Sequence, residues 1–134
     1  MQDLEYYIKL TEEAISKFGL DPEAARGKEK GQWNLQKGDI PIWIDVFKGE
    51  NDPWGYFQCM SPAIVLKDGD NCELYEKLLE KNHSIFSVAI TKYQNTIFIK
   101  IIRELTNITV EEIMNAVARV STYAEKVKQE FGEQ

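Results

Sequence analysis

The chain has 134 residues, 43% hydrophobic and 28% charged, with a formal net charge of -6, which suits a single domain over residues 1–134 that buries roughly two thirds of its unfolded surface. The acidic balance disfavours nucleic acid, since a protein gains from counterion release only by presenting positive charge to phosphates. No stretch reaches the roughly 18 apolar residues of a membrane span, and the start, MQDLEYYIKL, lacks a secretory pattern. A cytoplasmic protein with no membrane partner is the expectation.

Leu4, Tyr7, Ile8, Thr11, Ile15 and Phe18 recur at helical spacing before Gly19, so the first 18 residues predict an amphipathic helix. Asp21-Pro22 has the chemistry to cap one further turn. Arg26 to Lys30 (RGKEK) is the densest basic run, but it includes Glu29 and no aromatic residue, and reads as a solvated loop.

From Gln32 the period changes to two. Trp33 and Leu35 predict one strand, Lys37-Gly38-Asp39 a tight turn, and Ile40, Ile42, Ile44 and Val46 one face of a second strand. Pro41 has no N–H and should not face a paired neighbour. Trp54 to Met60 resumes extended structure after the turn Lys48 to Pro53, and Ser61-Pro62 is expected to interrupt the pairing.

The stretch Asp70 to Ile90 (DNCELYEKLLEKNHSIFSVAI) is the one around which the chain is expected to be organised. It reads as a helix capped reciprocally by Asp70 and Glu73, with Leu74, Tyr75, Leu78 and Leu79 on one face, and then a strand through Phe86, Val88 and Ile90. Tyr93-Gln94-Asn95 turns the chain into a fifth strand, with Ile97, Ile99 and Ile101 on one side and Phe98, Lys100, Ile102 and Glu104 on the other. Thr109 and Glu112 repeat the capping pattern before Val110, Ile113, Val117, Val120, Ala124, Val127 and Phe131, a narrow seam expected to dock along the sheet. The order α-β-β-β-α-β-β-α defines an α+β fold with an antiparallel sheet.

Signatures of chemistry are missing. Gly27 and Gly31 lack the context of a phosphate loop. Two cysteines, Cys59 and Cys72, and a single histidine, His83, cannot make a closed four-ligand zinc site, and two free thiols are expected. The sequons at Asn82 and Asn107 read as local capping chemistry. The acid pairs Glu12-Glu13, Asp68-Asp70 and Glu111-Glu112 are expected at helix ends and turns. Neither a cofactor nor a metal is implied.

The unusual feature is aromatic residues where a wet sheet face should be polar. If Ile40 to Val46 face the helices, Trp43 and Phe47 face away, with Trp54 and Tyr56 beside them from the third strand. These four are the candidate partner-binding residues, because exposed aromatic patches mark protein partners. The competing reading is that loops or the N-terminal helix fold over them.

Trp33, Ile42 to Val46, the Tyr56 to Val65 segment with its Ser61-Pro62, LYEKLLEKN, FSVAITKYQNTIFIKI and a closing helix with Ala124 near its end together resemble the YbjN-type family. That family is related in fold to the class I type III secretion chaperones such as the Tir chaperone. The resemblance covers nearly the whole chain, and its most specific piece is a helix ending Leu-Leu-x-x-Asn before a hairpin. It implies a homodimer without enzymatic activity or cofactor. Secretion chaperones of this fold hold extended effector segments against apolar patches and strand edges, while YbjN-type proteins are described as regulators of sensory transduction. The function expected is therefore a chaperone-like adaptor or regulator with a protein partner. The alternative is a small-molecule sensor with an apolar pocket between sheet and helices; an enzyme built on scattered acids and His83 is a third.

Overall fold

Asp3 accepts the Tyr6 N–H at 3.0 Å and so starts helix α1, Leu4–Lys17, which ends before Gly19 at φ +81°. The computed structural model describes residues 3–132, so the first two residues of the predicted helix lie outside the described residues. Asp21 caps the single turn α2, Pro22–Ala25, by accepting the Glu23 N–H at 3.0 Å. Then come strands β1 (Gln32–Lys37), β2 (Ile40–Lys48) and β3 (Gly55–Val65), helix α3 (Cys72–Ser84), strands β4 (Ala89–Tyr93) and β5 (Thr96–Glu104), and helix α4 (Val110–Phe131). The sheet is antiparallel throughout in the order β1-β2-β3-β5-β4.

Helix α4 is the cover of the sheet. Thr109 accepts the Glu112 N–H at 3.1 Å, and every residue of the predicted seam from Val110 to Phe131 is buried. The seam lies over β3, β2 and β5, with α1 beside it, while α3 sits at the β4 edge. The organising element is thus α4 rather than the Asp70–Ile90 stretch, because only its seam is long enough to cross three strands.

Within that stretch three expectations fail. Asp70 accepts the Cys72 N–H at 2.9 Å as a local turn, and Glu73 pairs with Lys77 at 3.2 Å instead of reaching back; no side-chain cap forms at Asn71. Leu74 and Leu78 are buried, but Leu79 is 70% exposed. The strand starts only at Ala89, because Ser87 takes φ +68°, and Phe86 is left outside the sheet. Asn82 Oδ1 then accepts the Ile90 N–H at 2.9 Å, fastening the helix end to β4.

The basic loop is also more than solvated. Arg26 donates to both Glu12 oxygens at 2.8 and 2.9 Å, and Trp33 Nε1 donates to the same carboxylate at 2.9 Å. Lys30 pairs with Glu5. Glu12, in the middle of α1 and not at its end, therefore clamps helix, loop and strand together. Arg26 holds its carboxyl below the usual range, against the opposing effect of desolvation.

Gly31 shows how closely this corner is packed. At φ +85° its carbonyl accepts the Val46 N–H at 2.8 Å, and an added Cβ would stand 2.4 Å from the Val46 carbonyl oxygen. Gly19 has a similar φ but open space around it. We expect Gly31→Ala to cost about 3 kcal/mol, combining left-handed strain with a displaced ladder, and Gly19→Ala about 1 kcal/mol from conformation alone. Equal losses in chemical denaturation would contradict the close approach.

Candidate functional site

The register separates the two sheet faces. Trp33, Leu35, Ile42, Ile44, Val46, Phe57, Cys59, Ile97 and Ile99 belong to one core cluster together with the apolar stripes of α1, α3 and α4. None of the candidate aromatic residues belongs to that cluster. Because α1 contributes Tyr7, Ile8, Ala14 and Ile15 to this core, it does not roof the opposite face.

On the opposite face Trp43 pairs with Met60 and Phe47 with Tyr56. The Trp43 and Phe98 ring centroids are 5.7 Å apart, and those of Phe47 and Tyr56 are 5.9 Å apart. Phe98 is 6% exposed although it lies outside the main core, with Trp43 beside it and Pro62 opposite it on β3. Between the two aromatic groups runs a polar rung, Asp45 opposite Gln58 opposite Ile102. The Gln58 amide donates to Asp45 at 3.3 Å. Alternating strand residues therefore yield two apolar patches divided by one hydrogen-bonded pair, with Ile102 exposed beside it.

All four predicted residues are on or beside this face. Trp43 and Tyr56 are half-buried, Phe47 is exposed, and Trp54 is 49% exposed in the turn just before β3. Asp52 organises that turn: it accepts the Trp54 N–H at 2.9 Å and the Tyr56 hydroxyl. The phenol hydrogen bond holds the Asp52 carboxyl below its ordinary range, aided by the Trp54 amide. The same bond pushes the Tyr56 phenol up, since an ionised Tyr56 would lose its bond and face a carboxylate. Phe98, Met60 and Ile102 are the members that sequence reading missed as part of the site. Alternation placed Phe98 and Ile102 on the outer side, but only the pairing of β5 with β3 brings them against Trp43 and Gln58.

Groups suited to catalysis are scattered. His83 is exposed in the last turn of α3. Cys59 is buried, and desolvation raises its thiol far above the ordinary value; Cys72 is raised by its hydrogen bond to Asp70. Neither thiol has the lowered pKa that marks a reactive cysteine. Among the described residues no group of three or more His, Cys, Asp or Glu could hold a metal ion, and no helix is long and apolar enough to cross a membrane. A groove of about 820 Å³ opens where β2 and β3 part and is lined by Asp39 to Pro41, Pro62 to Val65 and the end of α4. No aromatic residue lines it.

This architecture is that of type III secretion chaperones. A chain from the HopA1–SchA chaperone–effector complex superposes with a TM-score of 0.69 at 9% identity, covering 96% of this chain and 99% of that one. A chain from the ExsC–ExsE complex gives 0.68 at 14% identity, with 96% of each chain covered. A chain from the Yersinia pestis type III secretion chaperone SycH in complex with a stable fragment of YscM2 gives 0.60 at 16%, covering 90% and 98%. No protein-family model and no curated protein matches the sequence.

The Asp52–Tyr56 pair yields a pH expectation. Its carboxylate is lowered, so its contribution is present above the ordinary aspartate range and lost as pH falls through the lowered value. In alkali Tyr56 should ionise above the ordinary phenol range near ~10, and Asp52→Asn should bring it back down. Ultraviolet titration, with Tyr56→Phe as the reference, reads this; an unchanged titration in Asp52→Asn would break the assignment.

Proposed function

We propose that this protein is a non-enzymatic, chaperone-like adaptor or regulator in the cytoplasm that captures a protein partner on the sheet face its helices leave bare. The observation that carries this is the one-sided packing: all the helical apolar stripes meet one face, while Trp43, Phe47, Tyr56, Met60 and Ile102 stand on the other. The similar folds come from complexes whose names include a chaperone with an effector and a secretion chaperone with a protein fragment, which supports capture of a polypeptide. Kinship with the YbjN-type proteins is part of the same proposal, resting on LYEKLLEKN and the hairpin that follows.

Affinity would come from the two aromatic patches, with the Asp45–Gln58 rung setting register by offering hydrogen bonds between them. The lining of the 820 Å³ groove favours this over a small-molecule sensor, since ligand pockets are mostly apolar and aromatic, whereas this one carries Asp39, Glu125, Lys128 and Gln129.

A homodimer is the second element of the proposal. Leu79 is 70% and Phe86 72% exposed, and Phe86 lies just before β4, the last strand of the sheet, whose outward Ile90 N–H is already taken by Asn82. Large exposed apolar side chains beside a sheet edge favour burial against another copy.

Two expectations follow from these surfaces. Trp54→Ala and Phe47→Ala should weaken partner capture after photo-crosslinking in the native cell while leaving stability within about 1 kcal/mol. Trp43→Ala should weaken capture too but cost about 2 kcal/mol, because it uncovers Phe98. Undiminished capture by all three variants would remove the outer face from the reading. For the dimer, Leu79→Glu with Phe86→Glu should shift sedimentation to the monomer without unfolding; an unchanged mass would place the dimer surface elsewhere.

A further inference from the structure

Strands β2 and β3 are paired only from Trp43–Met60 to Lys48–Gly55, although both continue beyond that point. The cause lies in which residues turn their backbone groups toward the neighbour. The Val46 N–H donates to Gly31 of the β1 side, so alternation turns the backbone groups of Ile44 and Ile42 to β1, and those of Asp45, Trp43 and Pro41 to β3. The hydrogen-bonded pair after Trp43–Met60 would be Pro41 with Pro62, and neither has an N–H. The ladder stops there for want of donors. Ser61 Oγ, donating to the Pro41 carbonyl at 2.6 Å, closes the apex of the resulting fork.

Beyond the apex no strand pairs with β3 on its β2 side among the described residues. Its register with β5 shifts between Pro62 and Ile64, and the Leu66 N–H donates to Asn95 at 2.7 Å. Alternation then turns the N–H and C=O of Val65 away from β5, and the side chain is 69% exposed. If the ladder continued, the Pro62 carbonyl would face the Pro41 nitrogen, which has no proton. The groove of about 820 Å³ sits here. Its charged lining is Asp39 and Glu125 against Lys128, one carboxylate in excess.

We propose that the β2–β3 fork takes an extended, basic polypeptide segment of a partner, added as a strand along the free edge of β3 from Pro62 to Val65. A backbone donor and two acceptors along that edge select an extended main chain, and the excess carboxylate selects a basic side chain. This rests on the reading of the protein as a binder of polypeptides but uses a surface separate from the aromatic patches.

The test uses the full chain and the acetylated, amidated hexapeptide Lys-Val-Lys-Val-Lys-Val, with an analogue N-methylated at its valines. Near saturation the hexapeptide should slow exchange of the Val65 amide about tenfold. The N-methylated analogue should not, and Glu125→Lys should weaken binding about tenfold. Val65→Pro, which removes only the outward N–H, should abolish binding with an unchanged melting temperature. No protection at Val65, or equal binding of the analogue, overturns the fork. Protection around Trp43 and Phe98 with none at Val65 also overturns it and leaves the outer-face reading standing. Protection at Val65 alongside undiminished partner capture by Trp54→Ala, Phe47→Ala and Trp43→Ala supports the fork and removes the outer face.

Discussion

The docking of one apolar seam against one sheet face is the constraint from which the rest follows. Residues from Val110 to Phe131 on α4 recur at intervals of three and four and are all buried, which requires a flat apolar partner surface. The inward residues of β2, β3 and β5 provide it. With α1 filling the space beside α4, this face is occupied by helices of the same chain. The other face must then manage its own apolar content, and it does so by side-by-side packing of Trp43 with Phe98 and of Phe47 with Tyr56. Apolar side chains that pack laterally but have no layer above them are a surface suited to another polypeptide.

Two polar devices limit what that surface can do. The Asp45–Gln58 rung divides it, so an occupant must satisfy or preserve that hydrogen bond while covering both patches. Asp52 fixes the turn that carries Trp54 and ties it to Tyr56. Rigid aromatic residues held by such second contacts lose little conformational freedom on binding, which favours affinity without new area. The facing prolines act differently, by removing donors instead of placing groups. They end the β2–β3 ladder inside the sheet, so a strand edge opens over the end of α4 and not at the rim of the sheet.

The misreadings have local causes. The chemistry of Asp70 and Glu73 fits a capping box, yet an Asx turn commits Asp70 to the Cys72 N–H in place of the Glu73 N–H that the box requires. Alternation of Phe86, Val88 and Ile90 fits a strand, yet Ser87 in the left-handed region turns the chain before pairing begins. Leu79 matches helical spacing as well as Leu78 does, but α3 packs at an edge with only a narrow contact, so one of the two is left outside. Glu12 was read as a helix-end acid, when a carboxylate at mid-helix was needed to reach Arg26 and Trp33, partners fourteen and twenty-one positions away. The expected interruption at Ser61-Pro62 is real on the β2 side, where the ladder ends, while β3 stays paired to β5 through both residues and shifts register just after them.

By itself the sequence determined the class of fold, the order of its elements, the buried seam of α4 and the side of β2 on which Trp43 and Phe47 stand. These are local properties, set by periods of two and three to four and by turn chemistry that reads over a few residues. Tertiary structure alone decided that the apolar stripes of α1, α3 and α4 meet the same face, that β5 sits between β3 and β4 to bring Phe98 beside Trp43, and that Pro41 meets Pro62 across a gap. Each of these depends on which strands are neighbours, and a strand's pattern of alternation is the same whichever neighbour it has.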